Sequence, residues 1–106
     1  MRRVVVTGLG LLSPLGMGYE YSWGKILNGY SACHSITRFD TENFATKYAC
    51  EIPFGDQVGE FNPSDWMEEK DRRKVDDFIL YGIAASKEAL DDAGWVPKSE
   101  SQRCRT

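Results

Sequence analysis

The sequence has a single histidine, His34, in 106 residues. No mechanism that draws two imidazoles from this chain is therefore available, neither a Cys-His-His arrangement nor a metal site built on several histidines. Its three cysteines, Cys33, Cys50 and Cys104, include no C-x-x-C pair. An odd set without paired spacing supplies neither a disulfide framework nor a zinc ribbon, and reads as reduced thiols in an intracellular, cytoplasmic setting. Long apolar runs are also missing, and nothing approaches the ~18 residues that a membrane span needs. Arg2 and Arg3 before Val4, Val5 and Val6 have the positive start of a signal peptide, but Gly8, Gly10, Ser13 and Pro14 break the apolar run at once. Nor is there an excess of basic charge. Thirteen Lys and Arg against 16 Asp and Glu leave a formal charge of -3, which argues against a phosphate-tracking surface and predicts no nucleic-acid partner.

What is present fits one domain at most. A chain of this length buries roughly 65% of its unfolded surface, so a small core is feasible and a catalytic unit would be shallow, shared or incomplete. Residues 4–7, Val-Val-Val-Thr, are β-branched and apolar at consecutive positions, the pattern of a central strand buried on both faces. Glycines at 8, 10, 16 and 18 with Pro14 predict a winding, closely packed turn after it. Tyr19, Trp23, Ile26 and Leu27 recur at helical spacing and predict a short amphipathic helix over 19–27, ended by Asn28 and Gly29. Residues 30–65 hold no sustained period and read as loops with one or two short strands, the apolar run 48–52 among them. Residues 63–65, Pro-Ser-Asp, offer an N-cap before a charged run over 67–74. Residues 75–93 carry the best element, a helix whose stripe is Val75, Phe78, Ile79, Gly82, Ile83, Ser86, Leu90 and Ala93. Leu80, Ala84, Ala85 and Ala89 widen its apolar surface, Gly94 suits its C-terminus, and the polar tail 98–106 reads as a connection.

Three motifs invite a chemical reading, and each has a plainer one. Gly8-Leu9-Gly10 after a predicted strand suggests a dinucleotide fingerprint, but the third glycine position falls on Ser13 and the helix starts too late. Tight packing of a strand end is the better account, and no cofactor is predicted. Cys33 beside His34 suggests an activated thiolate, yet catalytic partners meet through the fold rather than along it. Cys33 is expected to be a small buried hydrophobe and His34 an ordinary loop side chain. The run 68–77 has four basic and five acidic residues. A solvated helix start is the plain reading, although cations near a helix N-terminus oppose its dipole by about 0.3–1 kcal/mol each, which leaves their clustering unexplained. If Lys70, Arg73 and Lys74 share a face, they present a docking surface for an acidic partner.

Taken together, the motif 2–10 (Arg-Arg-Val-Val-Val-Thr-Gly-Leu-Gly), then Ser13-Pro14-Leu15-Gly16, then Trp23, resembles the N-terminus of the β-ketoacyl-acyl carrier protein synthases. These are the condensing enzymes that elongate acyl chains in fatty acid biosynthesis. Phe39-Asp40, residues 44–49, Arg73 to Asp76 leading into residues 78–82, and residues 89–94 are similar to that family in order and spacing. Ser13-Pro14-Leu15-Gly16 is most like the type II branch. Ala32-Cys33-His34 departs from the Gly-Ile-like pair common in relatives, and residues 53–61 form a slightly longer loop.

The resemblance implies an α/β chain, the N-terminal part of a thiolase-like layered fold with a mixed sheet between helices. Residues 1–106 would be an incomplete portion of one synthase domain, with the neighbours of the strand at 4–7 following Thr106. It implies a homodimeric full-length enzyme that transfers an acyl group from carrier protein to a cysteine. That enzyme then decarboxylates malonyl-carrier protein and joins the two, with two histidines polarising the malonyl thioester carbonyl. The nucleophilic cysteine and both histidines of the family lie downstream, so no catalytic residue and no metal ligand is expected here and the chain alone is expected to be inactive. Lys70, Arg73 and Lys74 match positions where relatives present basic side chains to the acidic acyl carrier protein.

Overall fold

The computed structural model describes residues 1–105; the expected tail ends at Thr106, outside the described residues. Strand β1 (Leu12–Ser13) turns through Pro14 and Leu15 into β2 (Gly16–Met17), and the two pair antiparallel with Leu12 opposite Met17. Helix α1 (Tyr19–Leu27) follows, with the bounds its spacing predicts. Gly18, at φ 97°, aims the chain into it, and the Asn28 side chain donates to the Gly24 carbonyl at 2.9 Å to close it. Ser22 is the buried polar residue of α1. Its hydroxyl donates to the Gly16 carbonyl at 3.3 Å, so the 3.2 Å contact with Ser13 is donated by Ser13. That chain of hydroxyls ties α1 to the first hairpin.

A second hairpin joins β3 (Cys33–Ser35) to β4 (Tyr48–Cys50), antiparallel, within the stretch that carries no period in sequence. A single 3-10 turn (Pro63–Asp65) follows, capped by Asn62, whose side chain accepts from the Ser64 amide at 3.0 Å. Helices α2 (Glu69–Arg72), α3 (Asp77–Asp92) and α4 (Glu100–Arg103) complete the described chain. α4 gives the polar tail a structure of its own: Ser99 and Gln102 cap it reciprocally.

The core is centred on Phe61, Leu80 and Ala84, with Leu12, Met17, Ile52, Trp66 and Tyr81 packed around them. Phe61 reaches it because the loop 53–61 folds back on itself. The Phe61 amide donates to the Pro53 carbonyl at 2.8 Å, and the Gly55 amide to the Phe61 carbonyl at 3.2 Å. Its ring then meets Tyr81 edge-on at 5.7 Å. The buried residues of α3, Leu80 and Ala84, come from the flank of the predicted stripe. Of the stripe, Phe78, Ile79 and Ile83 remain exposed, while Val75, Leu90 and Ala93 are half-buried. The helix is apolar on two sides, and periodicity does not rank them.

Residues 4–7 differ most from expectation. Among the described residues they form no strand, and Val4, Val5 and Val6 are 93, 74 and 79% exposed. Among the described residues none pairs with them in a ladder or covers both their faces, and both conditions are needed for the strand their composition favours. Among the described residues the strands pair as two antiparallel hairpins, beside one isolated parallel bridge between Phe54 and Phe61. Exposed surface totals 8493 Å² and the radius of gyration is 16.9 Å, against about 6000 Å² and about 13 Å expected for a compact chain of this mass.

Beyond the valines the chain is held. Gly8 and Gly10 lie directly on the backbone of α3, beside Ala89 and Ala93 and beside Ala85. After each of them an amide is held: that of Leu9 donates to Asp92 at 2.9 Å and that of Leu11 to Glu88 at 2.7 Å. Two residues of extended chain advance ~6.7 Å, close to one ~5.4 Å turn of helix, so alternate amides meet carboxylates one turn apart. The Gly-x-Gly motif is thus a contact between extended chain and helix.

Candidate functional site

The charged run does not begin a long helix. It forms the one-turn α2, which closes at Arg73, and α3 starts separately after Asp76. Two residues of the predicted 75–93 helix therefore lie outside it at the start. This accounts for the clustering of charge. Arg72, Arg73 and Lys74 stand at the carbonyl end of α2, while Asp76 and Asp77 stand at the amide end of α3, each on the favourable side of a helix terminus.

Lys70, Arg73 and Lys74 are all exposed. Arg73 pairs with Glu69 at 2.5 Å and Lys74 with Asp71 at 3.0 Å. The four side chains are 56–76% exposed, and pairs of this kind are worth about 0–1 kcal/mol, so an incoming acidic group displaces them at little cost. Among the described residues no carboxylate lies within ion-pair distance of Lys70 or Arg72. Arg72 and Arg73 line a cleft of about 270 Å³ with Glu69, Val75, Asp77 and Leu80. Arg73 thus joins a neighbour that spacing did not single out, while Lys70 and Lys74 flank the cleft without lining it. The signal for Arg72 was its place in the same run; a one-turn helix leaves the choice of face undetermined in sequence.

The other candidate groups stand apart. Cys33 and Cys50 are exposed on β3 and β4, and Cys104 is exposed at the carbonyl end of α4. The expected burial of Cys33 does not occur, because β3 and β4 form a two-stranded ribbon with neither Cys33 nor Cys50 under cover. His34 lies on β3, its Nδ1 2.9 Å from the Ser35 carbonyl and 3.7 Å from Glu51. Glu51 is the hub of this corner. It accepts from the Thr37 hydroxyl at 2.9 Å, the Thr37 amide at 3.2 Å and the Arg38 amide at 3.3 Å. Partial desolvation pushes its carboxyl up, but these hydrogen bonds and His34 outweigh it and hold the group below its ordinary value. At the far end of α3, Asp92 accepts from the Tyr19 hydroxyl at 3.2 Å, and that hydrogen bond, with the charges of Asp92 and Glu20, raises the Tyr19 phenol above its usual range. Among the described residues no three His, Cys, Asp or Glu side chains are grouped to hold a metal ion, and no helix is long and apolar enough to cross a membrane.

Residues 1–105 match the family "Beta-ketoacyl synthase, N-terminal domain". The 3-oxoacyl-[acyl-carrier-protein] synthase 2 of Rhizobium meliloti (strain 1021) is 52% identical over 107 residues, covering 100% of this chain and 25% of the relative. The synthase 2 of Vibrio harveyi is 48% identical over 93 residues, covering 88% of this chain and 21% of the relative. Among solved structures, the ishigamide ketosynthase/chain length factor superposes with a TM-score of 0.74 at 38% identity, covering 90% of this chain and 22% of that one. The chain spans about a quarter of the length of the curated relatives it matches. Its hairpins and helices are arranged as in a ketosynthase, the thiolase-like fold expected from sequence, and the chain belongs to the β-ketoacyl synthase family.

Proposed function

We propose that residues 1–106 are the N-terminal portion of a single 3-oxoacyl-acyl carrier protein synthase domain of the type II kind, working in a reducing intracellular compartment as part of a homodimer. Such an enzyme joins an enzyme-bound acyl group to malonyl-carrier protein with loss of carbon dioxide. The 52% identity along the whole chain to a 3-oxoacyl-[acyl-carrier-protein] synthase 2 carries this reading. The contribution of this portion is to receive the carrier protein at the α2 corner. There Lys70, Arg73 and Lys74, joined by Arg72, offer cations to the acidic carrier protein. The cysteine nucleophile and the two histidines belong to the remainder of the enzyme, so the 106 residues alone neither form an acyl-enzyme nor condense.

Titration of isotope-labelled acyl carrier protein tests the docking role. Salt-sensitive shifts on the carrier's acidic face are expected, and reversing Arg73 and Lys74 to Glu should remove them. Binding unchanged by that reversal rejects the docking surface. Turnover of malonyl-carrier protein by the purified chain rejects its assigned inactivity. A chain-length-factor role is supported by the 38% identity to a ketosynthase/chain length factor, and the higher identity to the synthases favours the condensing enzyme.

A further inference from the structure

We propose that Cys33 and Cys50 form a reversible intrachain disulfide when the protein meets a hydroperoxide, making the second hairpin a redox-modified site. The geometry follows from the register. Cys33 lies opposite Cys50, His34 opposite Ala49 and Ser35 opposite Tyr48. The next pair in that register is Ile36 and Lys47, and the Ile36 amide donates to the Lys47 carbonyl at 3.0 Å. Ile36 and Lys47 are therefore a hydrogen-bonded pair. Since the two kinds of pair alternate along an antiparallel ladder, Ser35 with Tyr48 is non-hydrogen-bonded, His34 with Ala49 hydrogen-bonded, and Cys33 with Cys50 non-hydrogen-bonded.

That parity matters. Non-hydrogen-bonded partners have Cα atoms ~4.5 Å apart and side chains on one face of the ribbon, inside the ~4.4–6.8 Å range that a disulfide spans. Had the register placed the cysteines at the intervening pair, the side chains would stand further apart. Both thiols are reduced and exposed, so an oxidant reaches them without opening the fold. Cys104 lies at the end of α4, in neither of the ladders among the described residues.

The chemistry balances with one equivalent of hydroperoxide. The Cys33 thiolate attacks the peroxide oxygen; an S–O bond forms, the O–O bond breaks, and the departing hydroxide or alkoxide takes up a proton. Cys50 then attacks the sulfenic sulfur; the S–S bond forms, the S–O bond breaks, and water leaves. Two thiols lose two electrons and two protons in all, and the peroxide is reduced. The order is set by the pair itself. The Cys50 thiol is pushed above the ordinary cysteine value, first by desolvation and then by the charge and hydrogen bonding of Cys33. A raised thiol suits Cys50 to the resolving role.

The test uses the 106-residue chain treated with hydrogen peroxide, quenched by alkylation and digested with trypsin without reduction. Arg38 and Lys47 separate the two cysteines, so the disulfide joins peptide 26–38 to peptide 48–70, lighter than their sum by two hydrogens, and dithiothreitol releases it. The chain should lose two of its three titratable thiols, remain a monomer on a non-reducing gel, and keep this behaviour in Cys104→Ser. In Cys50→Ser the linked peptide should vanish and Cys33 should become trappable by dimedone. Crosslinks to Cys104, disulfide-linked dimers, or sulfinic acid at Cys33 without linkage overturn the proposal. So does an equal yield of the linked peptide in concentrated urea, where the register no longer exists.

Discussion

Gly10 lies against Ala85 so closely that a Cβ at position 10 would fall inside the van der Waals envelope of the Ala85 carbonyl oxygen, with the Ala89 amide nitrogen only 2.7 Å away. Both are helix backbone and do not yield as a flexible side chain would. Gly10→Ala should therefore push the extended segment off α3, strain the 2.7 Å bond from the Leu11 amide to Glu88, and cost about 1–3 kcal/mol. Gly24, inside α1, has nothing within 4 Å of the corresponding position, and Gly24→Ala should stabilise by about 0.5–1 kcal/mol. Urea midpoints by far-UV circular dichroism check the pair. Equal effects at both positions would reject the contact.

The Tyr81 ring packs edge-on to Phe61, but its hydroxyl is buried with no hydrogen-bond partner among the described residues. An unpartnered buried hydroxyl costs about 1–3 kcal/mol of lost solvation, so Tyr81→Phe should leave stability unchanged or raise it. Phe61→Ala, which empties the centre of the core, should cost about 3–5 kcal/mol. A loss of more than ~1 kcal/mol in Tyr81→Phe would mean that the hydroxyl is satisfied by ordered water.

Helices α1 and α3 were legible because their residues repeat at i+3 and i+4 and end at Asn28-Gly29 and Gly94, signals that act within a few residues. Phe61 was not, since its burial depends on the fold-back to Pro53 and on the distant Tyr81. The break between α2 and α3 was missed for a related reason: Lys74-Val75-Asp76 contains neither glycine nor proline, and the chain is interrupted there by two opposed helix ends. At the α2 corner the charges could be read but the cleft could not, because Arg72 and Arg73 meet Leu80 only after α3 has turned away. The valines at 4–6 show the reverse case. Their composition states a preference for a strand that nothing within the described chain completes.

The Glu51 carboxyl sits below its ordinary value because Thr37 and Arg38 donate to the charged form. A group depressed on folding lends stability that is present above its unfolded value, about 4.3, and is lost as pH falls through the folded one. Acidification below about pH 4.5 should therefore loosen the corner joining residues 37–38 to Glu51. Amide protection at Thr37 and Arg38, taken relative to the intrinsic exchange rate at each pH, should fall in that window. In Glu51→Gln, which cannot titrate, protection at the two amides should be lower at neutral pH and flat with acid. An acid response that persists in the variant would assign it to another carboxylate.

Glu69 competes with any acidic partner for Arg73, to which it is bound at 2.5 Å. Glu69→Gln removes that competitor and a repelling charge together. If the α2 corner receives the carrier protein, this variant should bind it more tightly, by up to about fivefold, since an exposed pair is worth at most ~1 kcal/mol. The gain should shrink as salt screens the interaction. Isothermal titration at two ionic strengths measures both effects, and weaker binding by Glu69→Gln would place the carrier elsewhere.

Val4, Val5 and Val6 form an exposed β-branched row whose backbone has no ladder partner among the described residues, on a molecule whose surface exceeds that of a compact chain of equal mass. Free strand edges and contiguous apolar patches both drive association. The purified chain should therefore form concentration-dependent oligomers and bind a hydrophobic dye. Val5 sits at the middle of the row, so Val5→Lys puts a charge where a pairing strand would desolvate it and should suppress both signals. Helical circular dichroism should survive, because α1, α3 and the core around Phe61 make no use of the row. Sedimentation velocity over a tenfold concentration range decides the matter. A single monomeric species at every concentration, without dye binding, would mean that the valines have found cover that the described structure does not contain.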